Sequence, residues 1–399
     1  MTFDPISYSL TKRSIEMLNK KLDDILSTFN NKVNDLYNKL DELNNKLEEL
    51  ANAIEGGGGG QEGGGGGASP FDEPGGGTWK YYINIPLINT PNEQCVYEIV
   101  IDGVFLKIYS ADGKEKLNHN ITGLFWDWVK GINDIRVFDQ AGSQLYFWVE
   151  NLDVTRQKAR IWVSIPAGTS ALNIAFGNES AGKSEYNDPS KVFLFFDDFV
   201  GEVGSMPEEY NQTGGWIYAK DGDRSIIKYK SGSSVDLARI IFNYELPDKF
   251  VVEVVGKSGV GSDLVILLLE NNDTSSAWGT GYAVGWGLAL YGTYMSISIL
   301  FNSNYDIRKG TSIPAPDNYE VIKLIYDHNS TDTMLFKYKN HILSAQWHEL
   351  YFYGKRYKPK YLGIGTYAWI CIVPVCIDSV KVIEYKDLAS FGTPSIVEF

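Results

Sequence analysis

From Leu22 the apolar residues fall at alternating steps of four and three: Leu22, Leu26, Phe29, Val33, Leu36, Leu40, Leu43, Leu47, Leu50 and Ile54. Asn, Lys, Asp and Glu fill most positions between them. A strip this narrow predicts a coiled-coil seam, because a helix lying on a globular core needs a wider apolar stripe. The alternative is a monomeric amphipathic helix packed on its own domain, which the glycines behind it, having no packing geometry to offer, disfavour. Residues 56–77 then carry thirteen glycines in twenty-two positions. As a random coil such a tract averages roughly 25 Å end to end. Where chains meet it could instead bundle as extended poly-glycine helices, at about 3 Å per residue.

After Thr78 the period changes. Short runs rich in Ile, Val, Tyr, Phe and Trp, such as WKYYINIPLI, YEIVID, ARIWVSIP, FVVEVVG and YEVIKLIYD, alternate with Gly, Asn, Asp and Pro clusters. That spacing predicts antiparallel β-sandwiches with no long helix among them. A shift in composition near FLFFDDFVGE divides the region. The expected organisation is an N-terminal anchor and oligomerising coiled coil over 1–55, a Gly-rich linker over 56–77, one β-sandwich over 78–195 and a second over 196–399. The fold class is mainly β.

The net charge of −14 argues against nucleic acid as a partner and against docking on anionic lipid, since both need a basic footprint. No stretch reaches 18 consecutive apolar residues, so no membrane insertion is expected. The opening MTFDPISYSL lacks the basic and apolar regions of a secretory signal. The protein is therefore expected to stay in the cytoplasm or to leave the cell inside an assembled particle. Three cysteines are too few for a disulfide scaffold, while 25 Tyr and 10 Trp supply many aromatic faces.

Four stretches in order, WKYYINIPLIN, NDIRVFDQAGSQLYFWVE, ARIWVSIPAG and LNIAFGNESAGKS with VFLFFDDF after it, carry a resemblance. Through them residues 79–199 resemble the small β domain of unknown function found in microbial surface proteins, often directly ahead of a concanavalin-like domain. Residues 200–387, with the final strand CIDSVKVIEY, resemble a laminin-G or concanavalin-like jelly roll. The resemblance implies a surface-recognition module, commonly for glycans, with no established catalysis in the first domain. It also implies calcium as a cofactor to consider. Such sandwiches often hold one ion between a carboxylate near the first strand and one near the last, where Asp198 and Asp378 stand. The alternative is that Asp198 caps a turn and Asp378 starts a strand.

The segment Gly177-Asn-Glu-Ser-Ala-Gly-Lys-Ser184 satisfies the phosphate-binding pattern G-x-x-x-x-G-K-[ST] letter by letter. The chain continues as SEYNDPSK, which cannot open the helix whose amides cradle phosphate, so the match is read as a decoy. No alternating run of acids and no H-E-x-x-H spacing occurs, and no catalytic residue is assigned. Cys371 and Cys376 flank Ile-Val-Pro-Val; they are either a disulfide across a hairpin base or two buried thiols. Sugar binding needs an exposed aromatic face beside Asp, Asn or Gly groups. Two places offer this: Trp126, Asp127 and Trp128 in the first sandwich, and Trp278, Tyr282, Trp286 and Tyr291 in the second. Sequons that could carry Asn-linked sugar fall at Asn120, Asn178, Asn211, Asn272 and Asn329.

These features together predict a virion attachment protein, a tail fibre or spike whose N-terminus docks on other virion tail proteins. The coiled coil would make a homo-oligomer, with a trimer preferred on functional grounds, and the tethered heads would bind host surface glycans at the virion surface. The alternatives are a polysaccharide-degrading enzyme on a concanavalin-like fold and a cellular surface adhesin.

Overall fold

The alternation after Thr78 is realised as strands in four sheets. The computed structural model describes residues 79–398 apart from 214, 230–237, 258–261, 273–280, 290–291, 302–303, 313–318, 328–332, 340–347, 354–357 and 369–374. The Leu22–Ile54 seam, the glycine tract and the 1–55 and 56–77 divisions lie outside the described residues.

The first sandwich is built from β1 (Tyr81–Asn89), β2 (Cys95–Asp102), β3 (Phe105–Ser110), β4 (Glu115–Asn120), β5 (Arg136–Phe138), β6 (Phe147–Asp153), β7 (Lys158–Ile165) and β8 (Ala171–Phe176). A one-turn helix, α1 (Leu124–Trp128), links β4 to the loop before β5, and α2 (Pro189–Val192) comes after β8. The second sandwich begins with β9 (Phe195–Asp197), β10 (Asn211–Thr213), β11 (Trp216–Asp221), β12 (Arg224–Tyr229), β13 (Ala238–Glu245), β14 (Lys249–Lys257) and β15 (Ser262–Leu269). It continues with β16 (Gly281–Ala289), β17 (Gly292–Phe301), β18 (Asn304–Ser312), β19 (Glu320–Asp327), β20 (Thr333–Lys339), β21 (His348–Tyr353), β22 (Tyr361–Ala368) and β23 (Cys376–Glu384). Two short strands, β24 (Ser390–Phe391) and β25 (Ser395–Glu398), close the chain.

Sheet β4-β3-β2-β7-β6 faces sheet β24-β1-β8-β5 across a core that includes Ile85, Ile99, Phe147, Ile161 and Ile174. In the second sandwich, sheet β10-β13-β22-β15-β16-β17-β18 faces β11-β12-β23-β14-β19-β20-β21 across Phe242, Ile266, Val252, Leu324 and Val382. The mainly β, two-sandwich architecture is thus as the alternation implies.

One boundary differs. The expected second domain ran to residue 399, yet β24 and β25 both pair with β1, Tyr81 standing opposite Glu398 and Leu87 opposite Phe391. Phe391 meets Tyr97 edge-on at 5.0 Å, and the Ala389 N–H donates to the Tyr97 hydroxyl at 2.8 Å. The tail returns because β1 would otherwise present an unpaired backbone edge.

The two sandwiches also share an interface. Strands β2 and β7 send Ile99 and Ile161 into their own core while Val96 and Trp162 point the other way. There they meet Val251, Ile325 and Ile383 from the outer face of β14, β19 and β23. Set among these apolar residues are six charges. Arg160 reaches Glu98 at 2.5 Å, Glu150 at 2.6 Å and Glu253 at 2.8 Å. Lys381 reaches Glu150 at 2.5 Å and Glu253 at 2.6 Å, and Lys323 reaches Glu98 at 3.0 Å. Burial would raise the Glu253 carboxyl, but Arg160, Lys381 and Lys323 outweigh it and hold the group well below the usual carboxylate range. Three carboxylates balance three cations, so the interface is electrically neutral.

Candidate functional site

The loops at one end of the first sandwich are organised by Asp134, a carboxylate that is 3% exposed. Its oxygens accept from the backbone N–H of Lys130 at 3.0 Å, Gly177 at 3.0 Å and Asn178 at 2.5 Å. Burial nonetheless pushes its carboxyl up, against the pull of those three amides. Arg136, also buried, stacks its guanidinium 5.2 Å from the Trp79 ring and donates to the carbonyls of Asn133 at 2.7 Å and Gly182 at 2.8 Å. Asp134 and Arg136 of the NDIR stretch therefore pin the 130–134 loop against the 177–182 loop.

That geometry disposes of the phosphate-loop pattern. Gly177 takes a left-handed φ of +89°, but its N–H and the next one are already spent on the Asp134 carboxylate. A negative charge sits where a phosphate would have to go.

Above this scaffold lies an open cleft of about 460 Å³ lined by Lys130, Ile132, Asn133, Asp134, Asn178 and Glu179. Ile132, Asn133, Lys130 and Glu179 are exposed. Trp128, two residues before Lys130 and outside the lining itself, is half-buried against the first core, with its ring 5.4 Å from Tyr81 at a tilt of 47°. The Lys80 ammonium lies 4.0 Å from the Trp128 ring centroid and that of Lys130 lies 5.7 Å away. An aromatic side chain, an amide, two carboxylates and two ammonium groups thus lie near one another, the Lys80 ammonium coming from the residue before β1.

The other sequence candidates fare differently. Trp126 is core: it packs edge-on against Phe125 at 4.8 Å and donates its indole N–H to the Gly103 carbonyl at 2.6 Å. Asp127 is exposed between the two tryptophans. Tyr282 is fully buried in the second core, edge-on to Phe352 at 6.1 Å, because strand alternation turns it inward. Trp278 and Tyr291 lie outside the described residues, as does the side chain of Trp286 on β16.

Asp198 is exposed after β9, while Asp378 is held by Arg224 at 2.5 Å. Burial raises the Asp378 carboxyl to about 6 against the pull of Arg224. Among the described residues no three His, Cys, Asp or Glu side chains are grouped to hold a metal ion, and a guanidinium stands where a cation at Asp378 would sit. The calcium expectation therefore finds no fitting donor set there. Cys371 lies outside the described residues, so the bridge to Cys376, half-buried on β23, does too.

Of the sequons, Asn120 and Asn211 are exposed, Asn272 is half-buried and Asn329 lies outside the described residues. Asn178 is corrected: it is 4% exposed and its side-chain oxygen accepts from the Ser180 N–H at 3.0 Å, leaving no room for a sugar.

Residues 131–218 match a family described as a domain of unknown function, DUF2341. The matched span starts at the cleft and ends in β11, so it takes in parts of both sandwiches. No curated protein matches the chain. Among solved structures the chain is similar to the exoplasmic/lumenal domain of VIP36 in its Ca2+/Man3GlcNAc-bound form, at 11% identity and a TM-score of 0.37 over 45% of this chain and 86% of that one. It is similar to the legume lectin-like domain from Entamoeba histolytica, at 13% identity and a TM-score of 0.36 over 45% and 91%. It is also similar to an engineered GH43 glycoside hydrolase, at 10% identity and a TM-score of 0.36 over 70% of this chain and 62% of that one.

Proposed function

We propose that the protein is a glycan-binding attachment protein and that the Trp128 cleft is its binding site. The observation that carries this is the half-buried Trp128 indole beside an open cleft rimmed by Ile132, Asn133, Lys130 and Glu179. A sugar presents a C–H face and a ring of hydroxyls; the indole and Ile132 suit the first, and the amide and the charged groups suit the second. Of the two carboxylates at the cleft, Asp134 is occupied by three backbone amides and Glu179 lies 3.7 Å from the Lys130 ammonium. We therefore read the site as binding rather than catalytic.

In the fuller form of the proposal, the N-terminal heptads join copies, a trimer being preferred. The chain is then a structural component of a virion, a tail fibre or spike, exposing its heads to host surface glycans. Weak single-site affinity would be raised by avidity through effective concentration.

The test is a titration of the full-length protein with host-envelope polysaccharides, monitored by intrinsic tryptophan fluorescence and calorimetry. Trp128→Ala is expected to weaken binding at least tenfold at temperatures where thermal melts show the variant still folded, a check needed because Trp128 also packs against the first core. Undiminished binding by that variant would move the site elsewhere.

A further inference from the structure

We propose that the ligand of the Trp128 cleft is an acidic glycan, its carboxylate taken by Lys80 and Lys130 while its sugar ring lies on the indole; this rests on the glycan-binding reading above. The chain carries a net charge of −14, which repels polyanions in general. An anionic ligand needs a cation that is not already neutralised, and near the Glu179 and Asp134 carboxylates of the cleft that cation is Lys80. Three surface lysines elsewhere, Lys116, Lys249 and Lys386, lie 2.5 Å, 3.0 Å and 2.8 Å from a carboxylate and are held by it. Lys80 makes no ion pair among the described residues and sits on the Trp128 face instead, 4.0 Å from its centroid. Lys130 is only loosely paired, 3.7 Å from a Glu179 that is 70% exposed.

The two contacts open to Lys80 are of unequal strength. A cation over an aromatic ring at an exposed site is a weak interaction. An ammonium hydrogen-bonded to a carboxylate is shorter and stronger. A carboxylated sugar arriving at the cleft therefore draws the Lys80 ammonium off the indole, and the vacated face receives the ring's C–H surface. Tyr81, tilted at 47° to Trp128 and stacked on Phe176 at 5.8 Å, supports the indole from the core side. A neutral sugar offers nothing to draw the ammonium away and has to compete with it for the same face. Charge recognition and stacking are thereby coupled through one side chain, and the preference for acid is a consequence of that coupling.

The experiment uses the full chain on an array of uronate- and sialate-bearing glycans printed beside the same glycans with their carboxyl groups esterified. Retention is expected on carboxylate forms and at least tenfold lower on the esters, and it should fall steeply as salt rises. The double variant Lys80→Gln/Lys130→Gln is expected to lose tenfold or more on the acidic forms and to gain nothing on the esters, with its unfolding temperature unchanged. Equal binding of acid and ester, or undiminished acid binding by the double variant, overturns the charge assignment and leaves the glycan site standing. If Trp128→Ala keeps all binding, or no printed glycan is retained, the underlying reading falls as well.

Discussion

Replacing Glu253 by Gln isolates what the buried charges between the sandwiches do. Glu253 is 0% exposed and neutralises parts of three cations, Arg160 at 2.8 Å, Lys381 at 2.6 Å and Lys323 at 3.3 Å. The amide keeps the shape and removes one negative charge, leaving Glu98 and Glu150 against three cations. An uncompensated charge in such a site costs about 3–5 kcal/mol. For a unit of roughly 300 residues the unfolding entropy is about 0.6 kcal/mol per degree, so the loss should appear as a fall in Tm of about 6 °C. Urea denaturation of the full chain, read by its tryptophan fluorescence, to which Trp148 and Trp162 at the interface contribute, measures it directly. A double variant, Glu253→Gln with Lys381→Met, restores neutrality among Arg160, Lys323, Glu98 and Glu150 and should recover most of the loss, since breaking a pair costs more than removing it whole. Two results would refute the reasoning: a Glu253→Gln cost within about 1 kcal/mol, or a double variant no more stable than the worse single one.

Two further predictions concern the fold around the site. Burial raises the Asp197 carboxyl to about 6, its bond from the Phe199 N–H opposing and Asp198 and Glu209 adding to the rise. A carboxylate raised in the folded state binds protons that the unfolded chain has released, so its contribution to stability falls as pH climbs from about 4 to 6 and is flat above. Asp197→Asn keeps an acceptor for Phe199 and should stabilise the protein at pH 7 by about 1 kcal/mol after solvent screening, with no gain at pH 3.5; equal gains at both pH values in thermal melts would contradict the assignment. Ending the chain after Asp387 removes β24 and β25, and with them the Phe391 ring against Tyr97. Hydrogen exchange should then rise along β1 while β14, β19 and β23 keep their protection, and unchanged exchange in β1 would show that the tail is dispensable.

How legible each strand is in the sequence depends on how many of its faces are buried. Alternation along YYINIPLI identified β1 without ambiguity because only one of its faces meets the core. The runs FVVEVVG, VIKLIY and ARIWV instead read apolar on both faces, which is the pattern of a strand covered on both sides. A single Glu, Lys or Arg in the middle of each run was the available sign of Glu253, Lys323 and Arg160. A lone charge in a strand, however, reads equally well as a solvent-facing position. Trp126 and Trp128 were not separable from sequence, since residues two apart on a helical turn point in nearly opposite directions and nothing says which is inward. The returning tail escaped because four residues of SIVE carry too little pattern to name their partner. Asp134 and Arg136 belong to the NDIR stretch that carries the resemblance, and their work of tying two loops together appears only when Lys130, Gly177 and Asn178 come within hydrogen-bond reach.

The neutral, apolar-rimmed interface also constrains how binding at the cleft would be felt. Each sandwich contributes three of the six charges, and separating the two would return these groups to water, where rehydration offsets much of the lost pairing; the apolar contacts of Val96, Trp162, Val251, Ile325 and Ile383 are what resist separation. A hinge opening between the sandwiches would have to expose that apolar surface. The cleft lies elsewhere: Lys80 and Tyr81 stand at the start of β1, and β1 is hydrogen-bonded to β8 on one side and to β24 and β25 on the other. A load applied between a ligand on Trp128 and the chain preceding Trp79 is borne by this short stretch of β1 and its neighbours. It bypasses the second sandwich. On the attachment reading, holding is thus the task of the first sandwich, and the tail that completes its sheet strengthens the one strand that both the ligand site and the tether share.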